Sequence, residues 1–220
     1  MNNDLTELVF ILDRSGSMYG LEQDTIGGYN AMLEKQKTEK GDVHITTILF
    51  NNQTLLIHDR VPLSCVKPMT ADDYRVRGTT ALLDAVGTTI ERVNKIQNAE
   101  PEKNRADKVI FVITTDGFEN SSKKFSYEPL KKLIESQQEE LGWEFIFLGA
   151  NMDAIKEAGK IGIRADRSAS YVNDSDGIAA NFASVGRAVT SMRLSQKGER
   201  IDGSWKKNIE ENFRKRTGDK

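Results

Sequence analysis

Apolar positions along this chain follow two rhythms. Continuous runs such as Leu8-Val9-Phe10-Ile11-Leu12 and Val109-Ile110-Phe111-Val112-Ile113 have the length and the β-branched and aromatic content of strands buried on both faces. Elsewhere apolar residues recur every three or four positions, which predicts amphipathic helices: Leu21, Thr25, Gly28, Tyr29, Met32 and Leu33 mark one, and Leu82, Leu83, Val86, Ile90 and Val93 another. Pro129, Leu130, Leu133, Ile134 and Leu141 predict a third, with the proline at a tolerated early position. Residues 143–148 read as another buried strand, 162–172 carry a last short one, and Ile178, Phe182, Val185, Val189 and Met192 outline a C-terminal helix. Residues 43–50 and 54–61, separated only by Asn51-Asn52-Gln53, read as an antiparallel hairpin. The stretch 62–77 holds two of the four prolines and reads as irregular. Strands alternating with helices predict an α/β fold, doubly wound, with a mostly parallel central sheet, one antiparallel strand and helices on both faces.

Such sheets bind ligands beyond the carboxyl ends of their strands, and the residues there are distinctive. The first run ends in Asp13-Arg14-Ser15-Gly16-Ser17, and the later one ends in Thr114-Thr115-Asp116-Gly117. Between them lies Arg77-Gly78-Thr79-Thr80-Ala81-Leu82. Each piece has a plain reading alone: Ser, Thr and Asp cap helices, and Asp-Gly makes turns. Three loops rich in hard oxygen atoms, two of them at strand ends, point together to one divalent-cation site.

In this order and context the motifs resemble the von Willebrand factor A (vWA) family, of the small intracellular bacterial type. The likeness covers roughly residues 4–195, giving a domain at 1–195 and leaving 196–220 as a mixed-charge tail. The resemblance implies a metal-ion-dependent adhesion site (MIDAS). In it Ser15, Ser17 and Thr80 bind the ion through hydroxyls, while Asp13 and Asp116 act through water or through hydrogen bonds to the serines. Mg²⁺ or Mn²⁺ is the implied ion, since Mg²⁺ prefers octahedral oxygen ligation and keeps some of its water. An Asp or Glu of a partner protein would take the open position, in a charge-assisted contact. Family members usually carry Gly-Gly-Thr in the second loop, so Thr79 stands where a glycine is usual and is the alternative ligand to Thr80. Phe118, Glu119 and Asn120, just past Asp116, are candidates for ligand specificity or simply an exposed loop.

Charge and composition narrow the classes. With 31 Lys+Arg against 33 Asp+Glu there is no basic bias, which argues against a nucleic-acid or anionic-membrane binder. One cysteine, Cys65, allows no internal disulfide and is expected as a small buried hydrophobe. His44 and His58 belong to no Cys/His cluster, so they are read as surface or edge-strand residues and no zinc site is expected. The polar, acidic N-terminus is no secretory signal, and no run approaches the ~20 apolar residues of a membrane span; a soluble, cytoplasmic protein is expected. In the tail, Trp205, Ile209 and Phe213 recur four apart, and would either pack back on the domain or dock a partner or a second copy. The leading functional reading is a metal-dependent interaction module without chemistry of its own. A Mg²⁺-dependent phosphatase using Asp13 as nucleophile is the rival, although Ser15 stands where such an enzyme needs a second Asp. A structural domain with a vestigial site is the third reading.

Overall fold

A computed structural model describes residues 4–196, 199 and 202–218. The strands are β1 (Leu5–Asp13), β2 (Asp42–Phe50), β3 (Thr54–Pro62), β4 (Lys108–Thr115), β5 (Glu144–Ala150) and β6 (Ser168–Tyr171). The α-helices are α1 (Glu22–Lys37), α2 (Leu82–Ala99), α3 (Tyr127–Glu140), α4 (Ala154–Lys160), α5 (Ser175–Leu194) and α6 (Lys207–Thr217). The strands form one sheet in the order β3-β2-β1-β4-β5-β6, in which only the β2–β3 pair is antiparallel. This is the doubly wound α/β architecture that the alternation of elements predicts.

Strand β1 shows why its sequence is apolar without interruption. Leu8, Phe10 and Leu12 join the core beneath α1, α5 and α6, while Val9 and Ile11 join the core beneath α2, α3 and α4. A central parallel strand covered on both faces has no wet side, so alternation disappears. Because the chain leaves β1 for β2 on one side and returns to β4 on the other, the β1–β4 boundary is the topological switch point, where doubly wound sheets bind ligands. Asp13 closes β1 and Asp116 follows β4 there; Leu12 pairs with Thr114 just below.

Two expectations change, and for the tail one of the two readings holds. Cys65 is exposed, on a short 3₁₀ turn (Leu63–Cys65) rather than in the core, because it lies on the irregular chain that leaves the edge hairpin. Leu141 is not on the buried face of α3; it ends that helix and is 48% exposed. The tail is partly 3₁₀ (Gly203–Lys206), and Trp205 and Ile209 are buried in the α1/α5 core, Trp205 Nε1 donating to Asp166 O at 3.0 Å. Phe213 is half-buried. No helix among the described residues is long and apolar enough to cross a membrane.

Candidate metal centre

The first loop folds around the Asp13 carboxylate. Asp13 is 1% exposed; its Oδ1 accepts from Ser15 N at 2.7 Å and its Oδ2 from Thr115 Oγ1 at 2.6 Å. The Tyr74 hydroxyl donates to its main-chain carbonyl. Ser15 and Ser17, two apart around Gly16, bring their hydroxyl oxygens within 3.1 Å of each other. Ser17 Oγ then donates to Asp116 Oδ1 at 2.5 Å, joining the loops after β1 and β4. Asp116 Oδ2 accepts from Asn173 Nδ2 at 2.9 Å. None of these residues caps the following helix: the N-cap of α1 is Leu21, without a side-chain cap.

The second loop, with Thr79 and Thr80, closes over the same point. Thr80 is buried and Thr79 exposed. Gly117 is tight against Thr80: a Cβ there would stand 2.6 Å from Thr80 Oγ1 and 3.5 Å from Ser17 Oγ. Only glycine allows that approach, so Thr80 Oγ1, Ser17 Oγ and the Asp116–Gly117 turn share one small volume. Main-chain bonds pin the loops together: Gly16 N to Gly78 O (3.0 Å), Arg77 N to Arg14 O (2.9 Å) and Asn120 N to Thr80 O (3.0 Å). Neither threonine caps α2, whose N-cap is Ala81.

The three residues after Gly117 divide between rim and scaffold. Phe118 is 59% exposed beside the site. Asn120 Oδ1 accepts from Thr80 N at 2.9 Å and fixes the threonine. The Glu119 carboxylate accepts from Leu83 N at the start of α2 (2.9 Å) and from Ser121 N, Ser122 N and Ser122 Oγ. That places an anion at a helix N-terminus, where it is favoured. Asn173, on the loop before α5, is the site neighbour that sequence reading missed; its one signal was that β6 ends on the same side of the sheet as β1 and β4. Asn151 accepts through Oδ1 from Asn173 N at 3.2 Å, while the Asp153 side chain caps α4, accepting from Lys156 N.

The electrostatics are those of two desolvated carboxylates without a counter-charge. Burial pushes Asp13 up to about 6, outweighing the hydrogen bonds from Thr115 and Ser15, and the nearby Asp116 charge adds to the rise. Burial raises Asp116 as well, against the donors Ser17 and Asn173. No Lys, Arg or His among the described residues bonds either carboxylate. Among the described residues no group of three or more His, Cys, Asp or Glu side chains is placed to hold a metal ion. Here the oxygen donors are two carboxylates and three hydroxyls, a hard set suited to a hard divalent cation whose charge the two carboxylates balance.

No protein-family model and no curated protein matches the chain. Solved structures do. The von Willebrand domain of the type V pili tip protein Mfa5 from Porphyromonas gingivalis superposes with a TM-score of 0.61 at 11% identity, covering 89% of this chain and 98% of that one. Proximal thread matrix protein 1 from the mussel byssus, in a structure with a zinc-occupied MIDAS motif, gives 0.56 at 15% identity over 84% of this chain and 46% of that one. A von Willebrand factor type A structure from Catenulispora acidiphila gives 0.55 at 16% identity, over 86% and 42%. The chain thus spans under half the length of the mussel and Catenulispora proteins. At these identities the likeness establishes the fold: this chain has a vWA fold.

Proposed function

We propose that this protein is a metal-dependent interaction module, in which Asp13, Ser15, Ser17, Thr80 and Asp116 hold a divalent cation that binds an acidic side chain of a partner. The observation that carries the reading is the convergence of those five side chains at the switch point, with one buried and one half-buried carboxylate and no cationic side chain bonded to either among the described residues. When bound, Mg²⁺ or Mn²⁺ would supply a positive centre with an open position for a carboxylate oxygen. Ser15, Ser17 and Thr80 offer neutral ligands, which leave the ion electrophilic. Asp13 and Asp116 orient the serines through the bonds described above and balance the charge. The zinc-occupied MIDAS of the mussel protein, on the same fold, supports a divalent ion here.

Binding is favoured over phosphoryl transfer by the state of Asp13. Both its carboxylate oxygens accept hydrogen bonds, from Ser15 N and Thr115 Oγ1, and the residue is 1% exposed, which holds it back from a phosphate ester arriving from solvent. Calorimetric titration of Mg²⁺ and Mn²⁺ into wild type and Asp13→Ala tests the reading. One site in the wild type that disappears in the variant is expected. With Mn²⁺ bound, N-acetylaspartate should lower water-proton relaxation as a carboxylate replaces an ion-bound water. Absence of ion binding, or equal binding by both proteins, would overturn the proposal.

A further inference from the structure

Arg14 stands between two of the candidate metal-site residues, but its side chain bonds none of them. Its side chain is only 5% exposed, and its Nε is buried with no hydrogen-bond partner. No carboxylate among the described residues pairs with it, although fifteen ion pairs form elsewhere in them. A buried guanidinium ordinarily has an acid or several carbonyls around it, because an uncompensated buried charge is strongly unfavourable.

The nearest charge makes the anomaly greater. Arg77 lies alongside, its N–H donating to Arg14 O at 2.9 Å, and its exposed side chain forms no ion pair among the described residues. Burial first, and the like charge of Arg77 second, both work against the charged form of Arg14; the Tyr74 side chain is the one group that favours it. The position is held firmly. Arg14 N donates to Phe50 O at 2.7 Å, and Asn51 Nδ2 donates to Arg77 O at 2.7 Å, so both arginines spring from one braced junction of three loops. Two arginines on neighbouring, braced backbone, one with a buried and unpartnered Nε and neither in an ion pair among the described residues, offer a receptor for a planar or tetrahedral oxyanion.

We propose that Arg14 and Arg77 form an oxyanion-binding position beside the candidate metal centre, taking a carboxylate or a phosphate group. It is independent of the metal reading and exists in the metal-free protein. If both readings hold, the surface accepts two negative groups at once, one on the cation and one on the arginines.

The test is thermal melting of the metal-free, full-length protein in phosphate, in N-acetylaspartate and in chloride of matched ionic strength. Wild type should show a saturable rise of about 3 °C over chloride in at least one of the two. Phosphate alone acting names a phosphate group, and N-acetylaspartate acting names a carboxylate. Arg14→Met should lose the response, and in chloride should melt no lower than wild type, since an unpaired charge has gone. Arg77→Gln, at an exposed position, should keep the fold and need several-fold more anion for half the response. No saturable rise in wild type, or an equal rise in Arg14→Met, would overturn the proposal. Should Arg14→Met fail to fold, an unchanged midpoint in Arg77→Gln would overturn it instead.

Discussion

Strand β1 carries a buried carboxylate near each end, and the two are treated in opposite ways. Glu7, fully buried, receives Arg60 Nε at 2.9 Å and Thr46 Oγ1 at 2.9 Å, and Arg60 reaches on to Glu100 at 3.0 Å. To bring that guanidinium in from the edge strand, β3 shifts register against β2, and Arg60 adopts a left-handed backbone with φ of 49°. A bulge and a strained non-glycine residue are a local cost accepted to keep an ion pair inside. Asp13, six residues on and equally buried, receives only a backbone amide and a hydroxyl. A carboxylate with its own guanidinium is finished architecture. One with only neutral donors is costlier to hold as an anion, a cost that a cation from outside would offset, and that difference separates the structural end of the sheet from the candidate site.

The largest effect should come from breaking the finished end. Arg60→Met leaves Glu7 buried and unpaired, and should lower stability by about 3 kcal/mol in urea unfolding. Cation affinity should stay within about twofold of wild type, because the two ends share no partners. A large loss of Mg²⁺ affinity in this variant would show that the ends are coupled.

Acidity should sharpen the contrast next. The raised value of Asp13 means that the metal-free folded state holds its proton more tightly than the unfolded chain does. Its contribution to stability is therefore fully present below pH ~4 and is lost as pH rises through about 6, a difference of about 2–3 kcal/mol. Asp13→Asn should remove that dependence and leave the metal-free protein more stable than wild type at neutral pH. In the wild type, Mg²⁺ affinity should fall about tenfold per pH unit below 6 as protons compete for the carboxylate. A flat affinity profile between pH 5 and 7 would contradict this.

The smallest effect should come from the closest contact. Gly117→Ala sets a methyl group against Thr80 Oγ1 and should weaken cation binding about tenfold, at a stability cost of about 1–2 kcal/mol. Thr80→Ala should match or exceed that loss, while Thr79→Ala should stay within about twofold. Titration calorimetry on the three variants settles which threonine belongs to the site.

The difference between the two ends also governed what the sequence could reveal. The candidate site was legible because its residues are short-range signals: Asp13, Ser15 and Ser17 follow an unbroken apolar run, and Asp116-Gly117 follows another. The structural end was not, since Glu7 and Arg60 lie 53 positions apart and nothing in their strands marks an inward charge. Asn173 was hard to see for a similar reason, reaching Asp116 across 57 residues from a loop with no motif of its own. Glu119 and Asn120 were noticed for their position after Asp116, but their hydrogen bonds run to α2 and Thr80. Cys65 misled because cysteine is commonly buried, and only the path of the chain after β3 puts it outside.

The main-chain bonds that tie Gly16 to Gly78, Arg77 to Arg14 and Asn120 to Thr80 bear on how portable this arrangement is. Each loop takes its shape from the other two, so a graft of residues 13–17 onto a foreign sheet would transplant the letters of the motif without its geometry. The smallest transferable unit is the triplet of loops with β1, β4 and the start of α2 beneath them. A designer borrowing this chemistry, or a lineage inheriting it, has to take most of the domain.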